Sequence, residues 1–412
     1  MGRRSVGIAI IGAGFALVLL VGVSLIGWLG PGSSASVPSA SPRQIANASG
    51  GPVPASAAAP SPTASPIPSP TARPTPTPTA SPVPTVPAVP TPTPLPTPSP
   101  TPGPKAAPLT GQVVPFIVAE RRPIAVMIDD LAPARPQSGL SSADIVWHAP
   151  AEGGIPRYMA IFQTHLDTDI GPVRSARSYY VAWATELRAV YAHAGGSPQA
   201  LATLRARGRG QYVWNAEVFR WEGRYFHRSR ARYAPHNVYT DGKTLRKLTR
   251  VLGAKDGKVP TFAPFLPDAP PSSRPYGGRI RVAYRANTIT YRYHHDSNTY
   301  RRTVSVEGAQ VDAANDTRVA PKNVIVMVVS FAQTGDHKHR LEADLIGSGK
   351  AWISTNGRTI EGTWKKTSQK KPTRFYDRAG NRVTLTVGQT FIQVVPHRSD
   401  VHFDPGTEEP PA

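Results

Sequence analysis

The sequence predicts an α/β domain with a mixed sheet, followed by a mainly antiparallel β domain, behind a membrane anchor and a linker. Three observations lead to this architecture. Residues 5–29 contain no charged side chain, residues 31–104 hold 24 of the 46 prolines, and the apolar pattern changes near Gly253. Alternating strand and helix patterns before Gly253 are typical of an α/β domain, whereas the short alternating runs after it favour antiparallel strands.

Residues 1–30 combine a short basic stub with a long apolar run. Arg3 and Arg4 precede the run, which exceeds the ~20 apolar residues that a membrane-spanning helix needs. Basic residues before the run, and none close after it, place the N-terminus in the cytoplasm. We therefore expect a single-pass protein of the cell membrane with its domains outside the cytoplasm. Secretion after signal-peptide cleavage near residues 33–36 is the alternative.

Residues 31–111 form the predicted linker. Pro, Ser, Thr and Ala dominate its composition, so it has too few apolar side chains to offset the entropy of ordering the chain. Its repeated Pro-Thr dipeptides are typical of extended polyproline II. We interpret this segment as a disordered spacer that holds the folded part away from the membrane.

Charge and cysteine content narrow the class of function. Residues 105–412 carry 43 basic and 26 acidic side chains, a net charge of +17, which indicates an anionic partner. Export disfavours nucleic acid and favours an anionic envelope polymer. The absence of cysteine excludes disulfides, a thiol nucleophile, Cys-ligated zinc and a lipid-modified cysteine.

The α/β domain is assigned to residues 112–252. Short apolar runs bounded by turn residues predict its strands, and apolar residues spaced three and four apart predict its helices. The predicted strands are residues 124–129, 144–148, 158–162 and 189–193, and the predicted helices are residues 175–188, 197–205 and 240–252. Ser197 is the expected N-cap of the second helix, with Pro198 in its first turn.

Residues 253–278 are rich in Pro and Gly and predict a boundary between domains. Residues 279–400 then predict a helix-poor β domain, and residues 401–412 a disordered tail. The predicted strands are residues 279–284, 288–293, 323–331, 351–354, 359–364, 383–387 and 391–395. Asn356-Gly357 indicates a hairpin between the fourth and fifth strands, and we expect the last two strands to pair.

Ordered motifs through both halves carry a family resemblance. In the first half they read RPIAVMIDD, ARPQSGLSSADIV, AEGGIPRYMAIFQ, IGPVRSAR and YAHAGGSPQAL; in the second they read PKNVIVM, GSGKAW, NGRTIEGTWKK, TRFYD and GQTFIQVVP. Over roughly residues 115–397 the chain resembles the YerB-like extracytoplasmic lipoproteins. The resemblance implies a bacterial envelope protein without an established catalytic activity and with a link to cell-wall metabolism. Members commonly carry a lipidated cysteine, which a transmembrane segment replaces here.

The segment Gly171–Arg177 is the main candidate for a binding site. A helix predicted to start at Ser175 offers free backbone N–H groups to an anion, and Arg174 and Arg177 add planar forks that suit a carboxylate or phosphate. We add Arg157 to this set. The alternative is that these arginines pair with nearby carboxylates and fix the loops.

Two further loops contribute candidates for binding. Gly195 and Gly196 follow a predicted strand, and His236 and Asn237 follow Pro235, where an imidazole and an amide can each orient a polar ligand. A local role in stabilising a turn is equally consistent with the sequence.

Four residues are candidates for catalysis: Asp129, Asp130, Glu152 and His193. They lie at or near predicted strand ends, together with His148, and carboxylates with histidine can act as acid and base or hold a metal. No HExxH, GxSxG or comparable motif is present, so we expect no metal and no cofactor. Salt-bridged loop residues are the alternative.

The sequence therefore favours a non-catalytic, membrane-tethered envelope protein. It is expected to bind an anionic wall component or a wall-processing enzyme. The alternative is a hydrolase or transferase that acts on a wall polymer through the Asp, Glu and His residues of the first domain.

Overall fold

A ten-stranded mixed sheet contains strands from both halves of the folded chain. The computed structural model describes residues 102–206 and 213–410, all of which belong to one compact unit. Within these ranges the helices are α1 Phe116–Ala119, α2 Ser178–Glu186, α3 Pro198–Arg205, α4 Val218–Trp221 and α5 Gly242–Val251. Short 3-10 turns lie at Ala132–Ala134, Glu152–Gly154, Pro271–Ser273 and Arg398–Asp400.

The strands are numbered in chain order. The first half contributes β1 Lys105–Ala106, β2 Val113–Val114, β3 Ile124–Asp129, β4 Ile145–Pro150, β5 Pro156–Phe162, β6 Asp169–Ile170, β7 Val190–His193, β8 Trp214–Glu217, β9 His227–Arg228 and β10 Val238–Asp241. The second half contributes β11 Phe265–Leu266, β12 Arg279–Ala283, β13 Thr288–His294, β14 Thr299–Val304, β15 Gly308–Ala309, β16 Val311–Asp312, β17 Thr317–Arg318, β18 Asn323–Val328, β19 Phe331–Gln333, β20 Leu341–Ala343, β21 Gly347–Thr355, β22 Arg358–Lys366, β23 Arg374–Asp377, β24 Leu385–Thr386, β25 Thr390–Val395 and β26 Val401–Asp404.

Two sheets form most of the architecture. The ten-stranded sheet has the order β23-β22-β21-β18-β25-β4-β5-β3-β7-β8, and a five-stranded antiparallel sheet has the order β15-β14-β13-β12-β26. In the larger sheet β25 runs parallel to both β18 and β4, and β7 runs parallel to both β3 and β8. The expected mixed sheet and the mainly antiparallel strands of the second half are both confirmed.

Apolar cores lie on both faces of the ten-stranded sheet. Val126 packs with the inward side chains of the five-stranded sheet and of α5, whereas Met127 packs with those of α2 and α3. Adjacent residues separate in this way because successive side chains of a strand point to opposite faces. The larger sheet is therefore a middle layer, covered by α2 and α3 on one side and by the five-stranded sheet and α5 on the other.

The predicted cap of α3 and the hairpin at Asn356-Gly357 are confirmed, whereas one predicted pairing of strands is not observed. Ser197 caps α3, since its side chain accepts a hydrogen bond from the N–H of Ala200. The predicted pairing of residues 383–387 with 391–395 is wrong. Instead β24 pairs with β11, and β25 lies between β18 and β4. Chain proximity favoured the hairpin, but the fully buried β25 gains more by lying inside the large sheet.

Both ends of the folded part extend beyond their predicted limits. Lys105 and Ala106, assigned to the linker, pair with β2, and Leu109 is fully buried. At the other end β26, which lies within the predicted tail, pairs with β12. These short segments have weak sequence patterns of their own and are ordered by the surfaces that they cover.

The predicted membrane anchor at residues 1–30 lies outside the described residues, as does the predicted linker up to residue 101. In the part of the chain that is described, no helix is both long and apolar enough to cross a membrane.

Replacing Leu109 with alanine tests where the fold begins. We expect a loss of about 2–5 kcal/mol in the free energy of unfolding, because a fully buried side chain leaves a cavity. Val113→Ala is the matched control, since 77% of Val113 is exposed. Urea denaturation measures both variants. Equal stability of L109A and wild type would contradict the assignment of this segment to the fold.

Candidate functional site

A buried polar network joins the two sheets beneath the candidate site. Asp130, immediately after β3, accepts hydrogen bonds from Arg135 at 2.5 Å and from Asn287 at 3.1 Å. His148 on β4 places Nε2 3.0 Å from Asp130 Oδ2 and Nδ1 2.9 Å from Gln393 Oε1. These contacts connect the middle of the large sheet to the loop between β12 and β13.

Arg302 is the fully buried cation of this network. From β14 it donates to the hydroxyl groups of Tyr291 and Tyr158 at 3.0 and 3.1 Å, and it also donates to Gln310. Its Nη2 lies 3.5 Å from His148 Nδ1. The guanidinium therefore has no direct carboxylate partner among the described residues, and Asp130, through His148, supplies the balancing charge.

The electrostatics of the network favour a structural role. Burial alone would raise the pKa of Asp130, but the hydrogen bond from His148 and the charges of His148, Arg135 and Arg302 outweigh it and lower that pKa. Burial lowers the pKa of His148. Neither Asp130 nor His148 is open to solvent, so neither can reach a substrate in this conformation.

Asp129 lies at the rim of this network and faces two basic side chains. His236 Nδ1 lies 2.7 Å from Asp129 Oδ2, and Arg174 Nε lies 3.1 Å from the same oxygen. The Arg174 contact is an ion pair without hydrogen-bond geometry. The structure thus brings together three of the predicted residues from three separate segments.

Glu152 forms a second cluster with two predicted arginines. It accepts hydrogen bonds from Arg157 at 2.6 Å and from Arg177 at 2.9 Å, while Arg157 also donates to the Ser175 hydroxyl at 3.0 Å. Burial would raise the pKa of Glu152, but the charges of Arg157 and Arg177 lower it to about 2. Glu152 is therefore a carboxylate at neutral pH and a poor proton donor.

Helix α2 begins later than predicted. Its N-cap is Arg177, which makes no side-chain capping bond, and Ser178 is the first helical residue. Ser175 is consequently not a cap but an acceptor for Arg157. The preceding segment is extended instead, because it bridges to β3 at Val173 and to Gly196 at Ala176.

Arg174 differs from its neighbours in having free donors. Its side chain is 21% exposed, against 8% for Arg157 and 4% for Arg177. Neither of its terminal nitrogens donates a hydrogen bond to any residue within 102–206 or 213–410. Arg174 is therefore the arginine of this site that can accept an external anion without first losing an internal hydrogen bond.

The glycine loop runs directly beside Arg174. Ala194 donates its N–H to the Arg174 carbonyl, and Gly195 accepts from the N–H of Ala176. The ring of Phe219 covers Gly195, where a Cβ would come within 3.2 Å of it, and 64% of Phe219 is exposed. We refer to Arg174, Ser175, Gly195, Gly196 and Phe219 as the arginine site. The carboxylate clusters around Asp129 and Glu152 lie behind these residues and are included in that name.

The remaining predicted residues have internal partners. His193 is buried, with Nδ1 2.7 Å from the Gly195 carbonyl and Nε2 2.8 Å from Asn215, and burial lowers its pKa. Asn237 accepts a hydrogen bond from Arg228 at 3.0 Å. Both side chains hold loops in place. The described residues contain no group of three His, Asp or Glu side chains that could hold a metal ion.

An open cavity of about 700 Å³ lies beside the Glu152 loop. It is lined by Gly153, Gly154, Ile155, Arg285, Gln333 and His339, among others. The cavity therefore lies next to the cluster around Glu152, but no carboxylate lines it.

Two important residues were missed from the sequence. The alternation of Tyr300, Arg302 and Val304 on one face of a strand signals that Arg302 points inward. Phe219 offers no comparable signal, because its exposure next to Gly195 depends on contacts between distant segments.

The comparisons with known proteins agree on one family. Residues 109–255 match the family model "Protein of unknown function (DUF3048) N-terminal domain", and residues 280–392 match the corresponding C-terminal domain. The chain is 34% identical over 284 residues to the Bacillus subtilis (strain 168) protein described as "Putative lipoprotein YerB", covering 68% of this chain and 82% of that protein. The crystal structure of YerB from Bacillus subtilis matches with a TM-score of 0.65 at 29% identity, covering 73% of this chain and 99% of that one.

Replacing Asp130 with asparagine tests the structural role of the network. The variant leaves Arg302 buried without its balancing charge and removes one of the two carboxylate partners of Arg135, so we expect a loss of roughly 3–5 kcal/mol in the free energy of unfolding. Asp167→Asn, at an exposed ion pair with Lys243, is the control and is expected to cost about 0–1 kcal/mol. Undiminished stability of D130N in chemical denaturation would contradict this role.

The Glu152 carboxylate predicts a specific dependence of stability on pH. Because its pKa is lowered by folding, its contribution is complete above about pH 4.5 and is lost as the pH falls through about 2. Glu152→Gln is expected to lower the melting temperature at pH 7 and to flatten its decline between those values. Circular dichroism melts check this. Glu361→Gln, at a more accessible ion pair with Arg378, is the control, and an equal effect there would contradict the prediction.

Proposed function

The chain belongs to the DUF3048 family, and on that premise we propose that it is a membrane-tethered, extracytoplasmic envelope protein that binds an anionic wall component at the arginine site. The relative YerB is described as a lipoprotein, which is consistent with an envelope location. The uncharged run at residues 5–29 supplies the tether, in place of the cysteine that this chain lacks.

The observation that carries the proposal is the state of Arg174. A guanidinium with free terminal nitrogens suits bidentate binding of a carboxylate or phosphate. Asp129 holds it from behind through Nε, so the fork is oriented before a ligand arrives. A preoriented side chain loses less entropy on binding, which increases affinity.

The surroundings of Arg174 support a ligand with both a charged and an apolar part. Among the backbone hydrogen bonds of the described residues, none uses the N–H of Ser175, Gly195 or Gly196 as its donor. These N–H groups can therefore complete the coordination of an anion. The exposed ring of Phe219 offers an adjacent apolar face, on which a sugar or a peptide side chain can pack.

The same geometry disfavours a hydrolase or transferase. Glu152 is held ionised by two arginines, and Asp129 is engaged by Arg174 and His236. General acid–base catalysis needs a group whose pKa lies near the working pH and which can reach the reacting atom. Glu152 fails the first condition because its pKa is lowered to about 2, and Asp129 fails the second because it is buried.

Arg174→Ala is expected to weaken binding to the wall by roughly tenfold, because it removes charge-assisted hydrogen bonds. The probe is purified cell-wall sacculi from which the attached phosphate polymers have been stripped with acid, incubated with full-length protein in nonionic detergent. Arg174→Lys keeps the charge but not the fork and is expected to recover only part of the binding. Arg250→Ala removes an exposed arginine on α5 and is the matched control.

Three results would contradict the proposal. One is retention of R174A on sacculi equal to that of wild type. Another is the absence of any retention of wild type at low ionic strength, which would indicate a protein partner such as a wall-processing enzyme. The third is release of wall fragments, detected by mass spectrometry and abolished in Asp129→Asn or Glu152→Gln, which would establish catalysis.

A further inference from the structure

The outward face of the five-stranded sheet carries a row of arginines in register. Strands β12, β13 and β14 pair so that Arg279 lies opposite Arg292, and Arg292 lies opposite Arg301. All three are exposed, and they alternate with buried neighbours along their strands. With strands about 4.8 Å apart, the row spans roughly 10 Å.

Little negative charge balances this row. Arg279 is paired with Asp404 on β26, but Arg292 and Arg301 form no ion pair or hydrogen bond within the described part of the chain. Arg281, in the next row, is likewise exposed and unpaired among those residues. Of the outward-facing positions on β12, β13, β14 and β26, only Asp404 is acidic.

Such an arrangement has a physical cost. Like charges placed directly opposite each other on paired strands destabilise a sheet, because their side chains are close and cannot separate without breaking the pairing. The crowding extends to Arg318: burial and then the positive charge of Arg301 lower the pKa of Arg318. The neighbouring row carries Thr290 and Thr303 at the equivalent positions of β13 and β14, so neutral residues fit this surface.

We propose that this face is a second binding surface, separate from the arginine site, for a linear polymer of phosphodiesters. Its chemistry matches such a partner in three ways. Arginine forks bind phosphate oxygens, threonine hydroxyl groups donate to them, and a row across several strands contacts successive charges of an extended chain. A bound polyanion relieves the repulsion between the arginines, and released counterions add to the affinity.

This surface shares no residue with the arginine site and goes beyond the proposed function. The surface is the outward face of the five-stranded sheet. The inward face of the same sheet contributes Arg302 and Tyr291 to the buried network. The partner that we assign to this surface is a phosphodiester chain, either free or attached to the wall, and not the headgroup of a membrane lipid. Three arginines aligned in one direction fit a linear array of charges.

The test uses full-length protein in nonionic detergent and poly(glycerol phosphate) of defined length. Titration calorimetry is carried out over a series of salt concentrations. Arg292→Gln/Arg301→Gln is expected to weaken binding roughly tenfold or more at low salt and to reduce the slope of log affinity against log salt by about 1–2. The melting temperature of this variant is expected to be unchanged or higher, because the substitution removes repulsion without removing a partner.

The matched control is Lys247→Gln/Arg250→Gln on α5, which removes the same charge from exposed positions. It is expected to leave the affinity within about twofold, since distant surface charges are screened. Equal weakening in the control would show that net charge alone attracts the polymer and would overturn the proposal. Polyglutamate binding as tight as that of poly(glycerol phosphate), with the same loss in the Arg292/Arg301 variant, would also overturn it. All titrations are repeated in the Arg174→Ala background, which removes phosphate binding at the arginine site, so the two sites can fail separately.

Discussion

The charge of Arg302 is the constraint on which the rest of this structure depends. A guanidinium that is fully buried between two sheets must have its charge balanced and its donors satisfied. Tyr158, Tyr291 and Gln310 satisfy the donors, and Asp130 balances the charge through His148. The two sheets can therefore pack in only one relative position, because a shift of either would separate these partners.

This buried network also positions the candidate site at its edge. Asp130 is fixed by its inward contacts, so Asp129, its neighbour at the end of β3, is fixed as well. Asp129 in turn holds the Nε of Arg174 and the ring of His236. The proposed binding residue Arg174, which lies on a loop, is thereby connected to the rigid core through one carboxylate. Such support reduces the entropy lost when a ligand is bound.

What the sequence predicts well is local, and what it misses depends on contacts between distant segments. The N-cap at Ser197 and strand β3 follow from neighbouring residues alone, and both are observed. The insertion of β25 between β18 and β4 is decided by burial in the assembled sheet, so sequence proximity misled the assignment. At the candidate site, the sequence indicated which types of polar residue lie near the ends of strands. The structure adds which of these side chains form pairs with each other. That distinction separates Arg174, with free donors, from Arg177, whose donors are engaged.

The arginines of this chain show why residue type alone does not assign a role. The alternation of β14 turns Arg302 inward and so turns residue 301 outward. The fold thus dictates which positions face solvent, but it does not dictate what occupies them. Threonines in the adjacent row show that an uncharged residue is compatible with the same sheet surface. Arg279 has a partner in Asp404, but Arg292 and Arg301, which are aligned with it across paired strands, have none within the described part of the chain. The proposed polyanionic partner would supply the negative charge that these two arginines lack.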